Sequence, residues 1–343
     1  MAVEGSTKAV VTALVANMGI AATKFGAYLL TGSAAMLAES IHSVADSSNQ
    51  GLLLLGGKRS RRAATKEHPF GYGRERYIYS FIVAIVLFSV GGLYALYEAW
   101  HKISHPEPIT QWQWVPIVVL VVALILESFA MRTAIKESNA VRGKATWVQF
   151  VRRAKSPELP VILLEDAGAL LGLVFALIGV SLTLVTGNGV WDGLGTAAIG
   201  ILLVAIAIVL AVEMKSLLIG ESATDEHVRE IERAIVSVED VDRLIHMKTQ
   251  HVGPEELLVA AKVAVDARDD AARIARAINE AEARIRAAVP IARMIYIEPD
   301  LDRAAAAGAS AEDAGRPPFP GPLLRPPGRL LSPCCARTPG AGR

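Results

Sequence analysis

The chain has 343 residues, of which 52% are hydrophobic, and its formal net charge is +1 at pH 7. This net charge says nothing about partners, because the basic residues are balanced by acidic residues further along the chain. Nothing in the sequence supports nucleic-acid binding, so we expect no nucleic-acid partner. The apolar residues are gathered in long runs separated by charged loops, which excludes a fully water-soluble fold and predicts an α-helical polytopic membrane protein.

Six apolar runs reach the ~20 residues that a helix needs to cross a ~30 Å hydrocarbon core. The predicted spans lie at about 9–30, 34–57, 77–100, 112–135, 159–185 and 190–219. Lys and Arg concentrate in the loops between spans two and three and between spans four and five, which predicts that these loops are cytoplasmic. We therefore expect a multi-pass protein of the inner or plasma membrane, seated in a lipid bilayer with both termini in the cytoplasm.

The sequence becomes polar after the last apolar run. Apolar residues at helical and alternating spacing predict, in chain order, a helix at 224–238, strands at 241–252 and 256–265, a helix at 269–289 and a strand at 291–297. This order predicts a small cytoplasmic α+β domain at 220–300 that follows a transmembrane domain at 1–219. Ala, Gly, Pro and Arg dominate residues 301–343, so we expect a disordered tail there.

The second predicted span carries a polar stripe at membrane depth. Glu39, His42, Asp46 and Asn49 are spaced by three, four and three residues, so they share one face of a helix. An Asp at the membrane centre costs at least ~2.5 kcal/mol on insertion scales, so such residues usually mark an ion pathway. Imidazole and carboxylate groups are also ligands for a divalent metal. The alternative is a hydrogen bond between His42 and Asp46 that holds two helices together.

The fifth predicted span contains two adjacent acids, Glu165 and Asp166. Adjacent helical residues point about 100° apart, so only one of them can face the same cavity as His42 and Asp46. We choose Asp166, because small residues near its face would let a neighbouring helix approach closely. The alternative is that both acids are solvated near the cytoplasmic boundary. Three other polar residues inside the spans are interpreted as structural or boundary residues: Asn17, Lys24 and Glu127.

Two motifs carry a specific resemblance to a known family. Residues 31–46 read TGSAAMLAESIHSVAD, and residues 68–77 read HPFGYGRERY. With these motifs, residues 1–300 resemble the cation diffusion facilitator family of metal transporters. The pattern is most similar to the branch of the family that carries Leu-Leu-Glu-Asp in span five, here residues 163–166. The resemblance implies six transmembrane helices, a ferredoxin-like cytoplasmic domain and a homodimer.

The resemblance also implies a set of metal ligands, which carry over to His42, Asp46 and Asp166. In span five the family usually has a His or Asp four residues before the Asp, but Ile162 stands at that position. Water or Glu165 could complete a tetrahedral shell, so Glu165 is a candidate fourth ligand. Only His68 matches the loop site of some relatives, and we expect that site to be absent or very weak.

These features predict a divalent metal cation/proton antiporter that exports Zn²⁺ or a similar ion from the cytoplasm. The three ligands must be deprotonated to bind metal, so metal and protons compete for one site. The mixed nitrogen and oxygen ligands favour Zn²⁺, while Mn²⁺, Fe²⁺, Co²⁺ and Ni²⁺ stay open. We expect no prosthetic group. We also expect no enzymatic activity, because no nucleophile paired with a base is evident in the sequence.

The rival hypothesis is a non-transporting metal sensor or membrane scaffold that acts through its cytoplasmic domain. It requires metal affinity in that domain, where the candidate ligands are His246, His251, Glu298 and Asp300. Carboxylates on a polar domain are usually solvated, so the sequence favours the transporter.

Overall fold

The computed structural model describes residues 11, 14–15, 17–26, 29, 34–106 and 113–301. Parts of the first predicted span, residues 302–343 of the predicted tail, and the side chains of residues 34–39, 41 and 42 lie outside this description. Residues 17–26 are helical and form helix α1.

Four helices in the described part of the chain are long and apolar enough to cross a membrane. The first is the 30-residue helix Glu75–Ser104, which consists of α3 (Glu75–Val86), a π-helical segment (Leu87–Leu93) and α4 (Tyr94–Ser104). The others are α5 (Trp114–Arg142), α7 (Glu158–Thr186) and α8 (Val190–Ile219). Predicted spans three to six are therefore helices of spanning length.

Helix α2, Ala34–Arg59, coincides with the second predicted span. It is not one of the four helices of spanning character, because the polar residues between Glu39 and Gln50 lower its hydropathy. The described residues therefore form a mostly helical fold with four helices able to cross a membrane and a small C-terminal sheet. The total of six spans stays a prediction.

Helices α7 and α8 form a hairpin that closes at Gly187. This glycine has φ 69°, a left-handed conformation that is common where helices end. The two backbones approach closely at Gly179 and Gly195, since a Cβ on either would lie 2.9 Å from a carbonyl oxygen of the facing helix. Small residues permit this close packing of helices in membranes. The tight contact fixes the position of α7, which carries both acids of span five.

The C-terminal part of the described chain is a three-stranded sheet with two helices on one face. Its elements are α9 (Asp225–Val236), β1 (Arg243–Gly253), β2 (Glu256–Val265), α10 (Ala271–Ala288) and β3 (Ala292–Leu301). The strand order is β1-β2-β3, and β1 pairs antiparallel with β2. The predicted order of elements is confirmed, although β3 runs further than predicted.

One hydrophobic core joins the two helices of this domain to the sheet. Leu257 and Val259, on one face of β2, are buried together with Ile231 and Ile235 of α9 and Ile285 of α10. Burying one such side chain contributes about 1.5–3 kcal/mol. Both helices therefore cover the same face of the sheet, as the amphipathic patterns of the sequence predict.

A short helix that was not predicted, α6 (Trp147–Arg153), lies between α5 and α7. Its first turn is fixed by reciprocal hydrogen bonds: the Gln149 N–H donates to Thr146 Oγ1 (3.2 Å), and the Thr146 N–H donates to Gln149 Oε1 (3.0 Å). Its Phe150 is buried in the same apolar cluster as residues of α3 and α7. The basic loop before α7 is therefore ordered by a capped helix.

The loop that precedes α3 touches the turn between β1 and β2. A Cβ placed on Gly73 would lie 2.9 Å from the Cα of Gly253, and a Cβ on Gly253 would lie 2.8 Å from the Cα of Gly73. Two further contacts join the helices to the sheet domain. Lys155 and Glu221 form an ion pair, and Gln250 Nε2 donates to the carbonyl oxygen of Ile219 at 3.2 Å. The helices and the sheet are thus in direct backbone contact.

Candidate functional site

The polar stripe of α2 faces other parts of the protein from Ser40 onward. The buried polar residues of α2 in this stretch are the stripe residues Asp46 and Asn49 and the neighbouring residues Ser40, Ser43, Ser47 and Gln50. Helix α1 supplies contacts for two of them: Lys24 Nζ donates to Ser43 Oγ at 3.1 Å, and Asn17 Nδ2 donates to Gln50 Oε1 at 3.3 Å. These contacts explain how α2 keeps so many polar groups away from lipid.

The structure describes the side chain of Asp46, whereas it describes only the backbone of His42. Asp46 is 6% exposed and therefore buried at this face of α2. His42 belongs to α2 by its backbone, one turn before Asp46, but its side chain lies outside the described residues. The role of His42 as a metal ligand therefore stays a prediction.

The two acids of α7 are both buried. Glu165 is 4% exposed and Asp166 is 2% exposed, so the alternative that they are solvated at the membrane boundary is wrong. Asn49 Nδ2 of α2 donates to Glu165 Oε1 at 2.7 Å, which links the two helices. Among the described residues, Glu165 Oε2 and Asp166 Oδ2 have no hydrogen-bond partner. Buried carboxylate oxygens without partners are costly unless a cation or proton compensates them.

A small cavity lies beside the polar stripe of α2. Its volume is about 20 Å³, which exceeds the ~10–15 Å³ that one water molecule needs. Its polar lining consists of Asn17, Lys24, Ser43, Asp46 and Glu127. Gly168, Ala169 and Gly172 of α7 contribute a small-residue wall. Neither Asp166, which the sequence predicts to face the cavity, nor Glu165 is among the described residues that line it. The cavity has room for a single ion or water.

The sequence predicts a structural or boundary role for Glu127, whereas the structure places this residue at the cavity. Glu127 belongs to α5, is 4% exposed and lines the cavity together with Asp46 and Lys24. Its carboxylate interacts electrostatically with Asp46 and Lys24, and Asp166 interacts with both Glu127 and Asp46. Glu165 interacts with all three of these acids as well, so four acids from α2, α5 and α7 form one electrostatic group. The signal in the sequence is a lone acid within an apolar run.

Ile162 occupies the place where the related family usually has a fourth ligand. It is 1% exposed and packs in an apolar cluster with Leu53 of α2, Val83 of α3 and Leu210 of α8. An apolar side chain in an apolar environment has no capacity to bind a metal. The position is therefore a packing position in this chain.

Two of the candidate ligands of the cytoplasmic domain, Glu298 and Asp300, form ion pairs. Lys262 Nζ pairs with Asp300 Oδ2 (2.9 Å) and Glu298 Oε1 (3.1 Å), and these hydrogen bonds raise the pKa of Lys262. His251 is 1% exposed, and burial lowers its pKa, which keeps the ring neutral. A neutral imidazole is the form that binds a metal, so the sensor hypothesis, with His246 and His251 as candidate ligands, stays untested.

The described residues contain no assembled metal site. Within residues 11–106 and 113–301, as far as they are described, no three His, Cys, Asp or Glu side chains are arranged to hold a metal ion. The side chain of His42 is outside that range of description. The four interacting acids are therefore an electrostatic group rather than an assembled coordination shell.

One protein family matches this chain and agrees with its sequence motifs and buried acids. The cation efflux transmembrane domain matches residues 10–219, which is more than half of the chain. The chain belongs to the cation diffusion facilitator family. This cation diffusion facilitator is a multi-pass membrane protein, and its matched region ends with α8.

Curated relatives give the family match more detail. The human mitochondrial proton-coupled zinc antiporter SLC30A9 is 32% identical over 267 residues, which cover 77% of this chain and 47% of the relative. Metal tolerance protein C4 of Arabidopsis thaliana is 30% identical over 262 residues, covering 75% of this chain and 57% of the relative. The manganese efflux system protein MneP of Bacillus subtilis is 25% identical over 261 residues, covering 74% and 82%. The chain thus spans about half the length of the SLC30A9 relatives that it matches.

Proposed function

We propose that this cation diffusion facilitator is a divalent metal cation/proton antiporter that exports metal from the cytoplasm. The observation that carries the proposal is a buried Asp46 at a cavity with room for one ion, together with a second buried acid, Asp166, on a separate membrane helix, whose charge interacts with that of Asp46. Buried acids without full compensation are rarely kept inside a membrane except on an ion pathway. His42, Asp46 and Asp166 are the proposed ligands, with Glu165 as a candidate fourth.

Competition between metal and protons supplies the coupling. The proposed ligands bind metal only when they are deprotonated, so metal binding releases protons. An imidazole near its reference pKa of ~6.5 exchanges protons in the physiological range. Alternating exposure of the same cavity to the two sides of the membrane would then carry metal one way and protons the other.

Zn²⁺ is our first choice of cargo. A ligand set of one imidazole and two or three carboxylates suits Zn²⁺, although Mn²⁺ accepts an oxygen-rich site as well. The relatives support both ions, because one is named a zinc antiporter and another a manganese efflux protein. We propose an inner or plasma membrane location with both termini cytoplasmic, on the basis of the basic loops. The SLC30A9 relatives are named as mitochondrial proteins.

Flux into proteoliposomes tests this function. The purified full chain is reconstituted, and uptake of Zn²⁺, Mn²⁺ and Co²⁺ is followed with and without an imposed pH gradient. We expect Zn²⁺ uptake that increases when the lumen is acidic and falls when a protonophore removes the gradient. Metal-independent proton leak, or no flux of any metal by folded protein, would contradict the proposal.

We also propose that the protein is a homodimer, with assembly supported by residues 221–300. The two helices cover one face of the sheet, which leaves the opposite face and the exposed Tyr296 of β3 available for a partner. The mass of the full chain in lipid nanodiscs should correspond to two copies. A chain truncated after residue 220 should show a smaller dimer fraction at equal concentration. A full chain that is monomeric throughout the accessible concentration range would disprove this arrangement.

A further inference from the structure

The transport site of this chain lacks the family's usual fourth ligand, because Ile162 belongs to the apolar core. Glu127, on a different helix, lines the cavity beside Asp46. We propose that Glu127 is a ligand of the transported divalent cation and supplies from α5 the oxygen that residue 162 does not supply from α7. This inference rests on the proposed function, which it deepens by naming a further cargo-binding residue.

The position of Glu127 follows from helix packing. Helix α5 packs along α7, and the buried face of α5 carries small apolar residues on both sides of Glu127, namely Ala123 and Ala130. Glu127 is the acid on that face and is 4% exposed. Across the cavity wall, α7 contributes Gly168 and Gly172, which leave space for a carboxylate. Glu127 is thus directed into the protein at the level of the cavity.

The charges around the cavity favour a divalent cation. Asp46 and Glu127 carry two negative charges when ionised, and Lys24 carries one positive charge. An added divalent ion and Lys24 together bring three positive charges, and these two carboxylates balance two of them. Asp166, which interacts electrostatically with both acids, adds a third carboxylate to the group. Without Glu127 the cavity lining would hold one carboxylate and one ammonium group, which gives no net attraction for a cation.

The competing explanation is that Glu127 only neutralises Lys24. Both side chains are buried, and their charges interact. A buried charge without its partner is strongly destabilising, so loss of Glu127 could disturb the fold without any role in binding. The two explanations differ when both charges are removed together. If Glu127 only balances Lys24, a variant that lacks both charges should bind metal as the wild type does.

The experiment measures equilibrium binding of Zn²⁺ and Mn²⁺ to the purified full chain in detergent, together with flux in proteoliposomes. The variants are Glu127→Gln, the double variant Lys24→Met/Glu127→Gln, and the control Glu137→Gln, which changes a partly exposed acid on the same helix. We expect Glu127→Gln and the double variant to bind metal at least ~10-fold more weakly, as loss of groups that support a metal site does. Glu137→Gln should bind as the wild type does.

A second measurement does not depend on a variant that folds. In the wild type, a hydrophobic carbodiimide should modify Glu127, and saturating Zn²⁺ should protect it, as read by mass spectrometry of the peptide. Wild-type binding by Glu127→Gln, recovery in the double variant, or modification that Zn²⁺ does not reduce would each overturn the assignment. A wild-type protein with no metal flux would instead overturn the proposed function, and the role of Glu127 with it.

Discussion

Alanine at Asp46 or at Asp166 is expected to abolish metal flux while the protein stays folded in the membrane. Each substitution removes a proposed ligand from a different helix, so the remaining groups no longer neutralise a divalent cation. We expect flux to fall by at least ~100-fold, since even loss of groups that only support a metal site costs 10–100-fold. Initial rates of Zn²⁺ uptake into proteoliposomes, at equal protein density, measure the effect.

Folding should survive these substitutions for a physical reason. Asp166 Oδ2 is buried and has no hydrogen-bond partner among the described residues, so its removal relieves a desolvation cost. Glu98→Ala is a suitable control, because Glu98 is a partly exposed acid in the membrane helix Glu75–Ser104, whereas Asp46 and Asp166 are buried. It should transport as the wild type does. Normal transport by a folded Asp166→Ala variant would remove Asp166 from the site and favour Glu165 or ligands on α2 alone.

Replacing His42 with Asp is expected to change both the preferred metal and the pH dependence of transport. His42 is the one nitrogen ligand proposed in an otherwise oxygen set, so the substitution keeps a ligand but makes the site harder. The preference should shift from Zn²⁺ toward Mn²⁺, which accepts oxygen ligands more readily. The variant should also remain active to lower pH, because a carboxylate with a reference pKa of ~3.9 replaces an imidazole with one of ~6.5.

Flux of Zn²⁺ and Mn²⁺ by His42→Asp, measured from about pH 5.5 to 8 around the imidazole reference value, decides this prediction. Neighbouring acids raise the pKa of an introduced carboxylate, so the direction of the shift is the expected result. His42→Asn is a useful companion, because it removes the titrating group and keeps the size of the side chain similar. An unchanged metal ratio with an unchanged pH profile would mean that His42 neither binds the ion nor carries the proton.

The sequence was sufficient where the structure depends on local geometry. The face shared by Asp46 and Asn49 follows from helical spacing alone, and the structure finds both residues buried. The amphipathic patterns of the C-terminal domain predicted its elements in order, since each pattern reflects one core. Short helix α6 also has a local signal in the sequence, because Thr146 and Gln149 form a capping box at its start.

The sequence was insufficient where the site depends on contacts between distant segments. Glu127 and Asp46 belong to different helices, α5 and α2, and the place of Glu127 at the cavity follows from packing of α5 along α7. The hydrogen bond from Asn49 to Glu165 likewise joins residues 116 positions apart. Spacing along one helix gives the face of a side chain, but it does not give the neighbour that this face meets.

The contact between Gly73 and Gly253 has a mechanical consequence. Where side chains separate two segments, their rotamers can adjust and absorb a small displacement of either segment. Here the two main chains meet directly, so no rotamer is available to absorb it. A tilt at the beginning of α3 is therefore expected to push the β1–β2 turn by nearly the same distance. Because of this direct backbone contact, rocking of the membrane helices would displace the sheet domain at the same time.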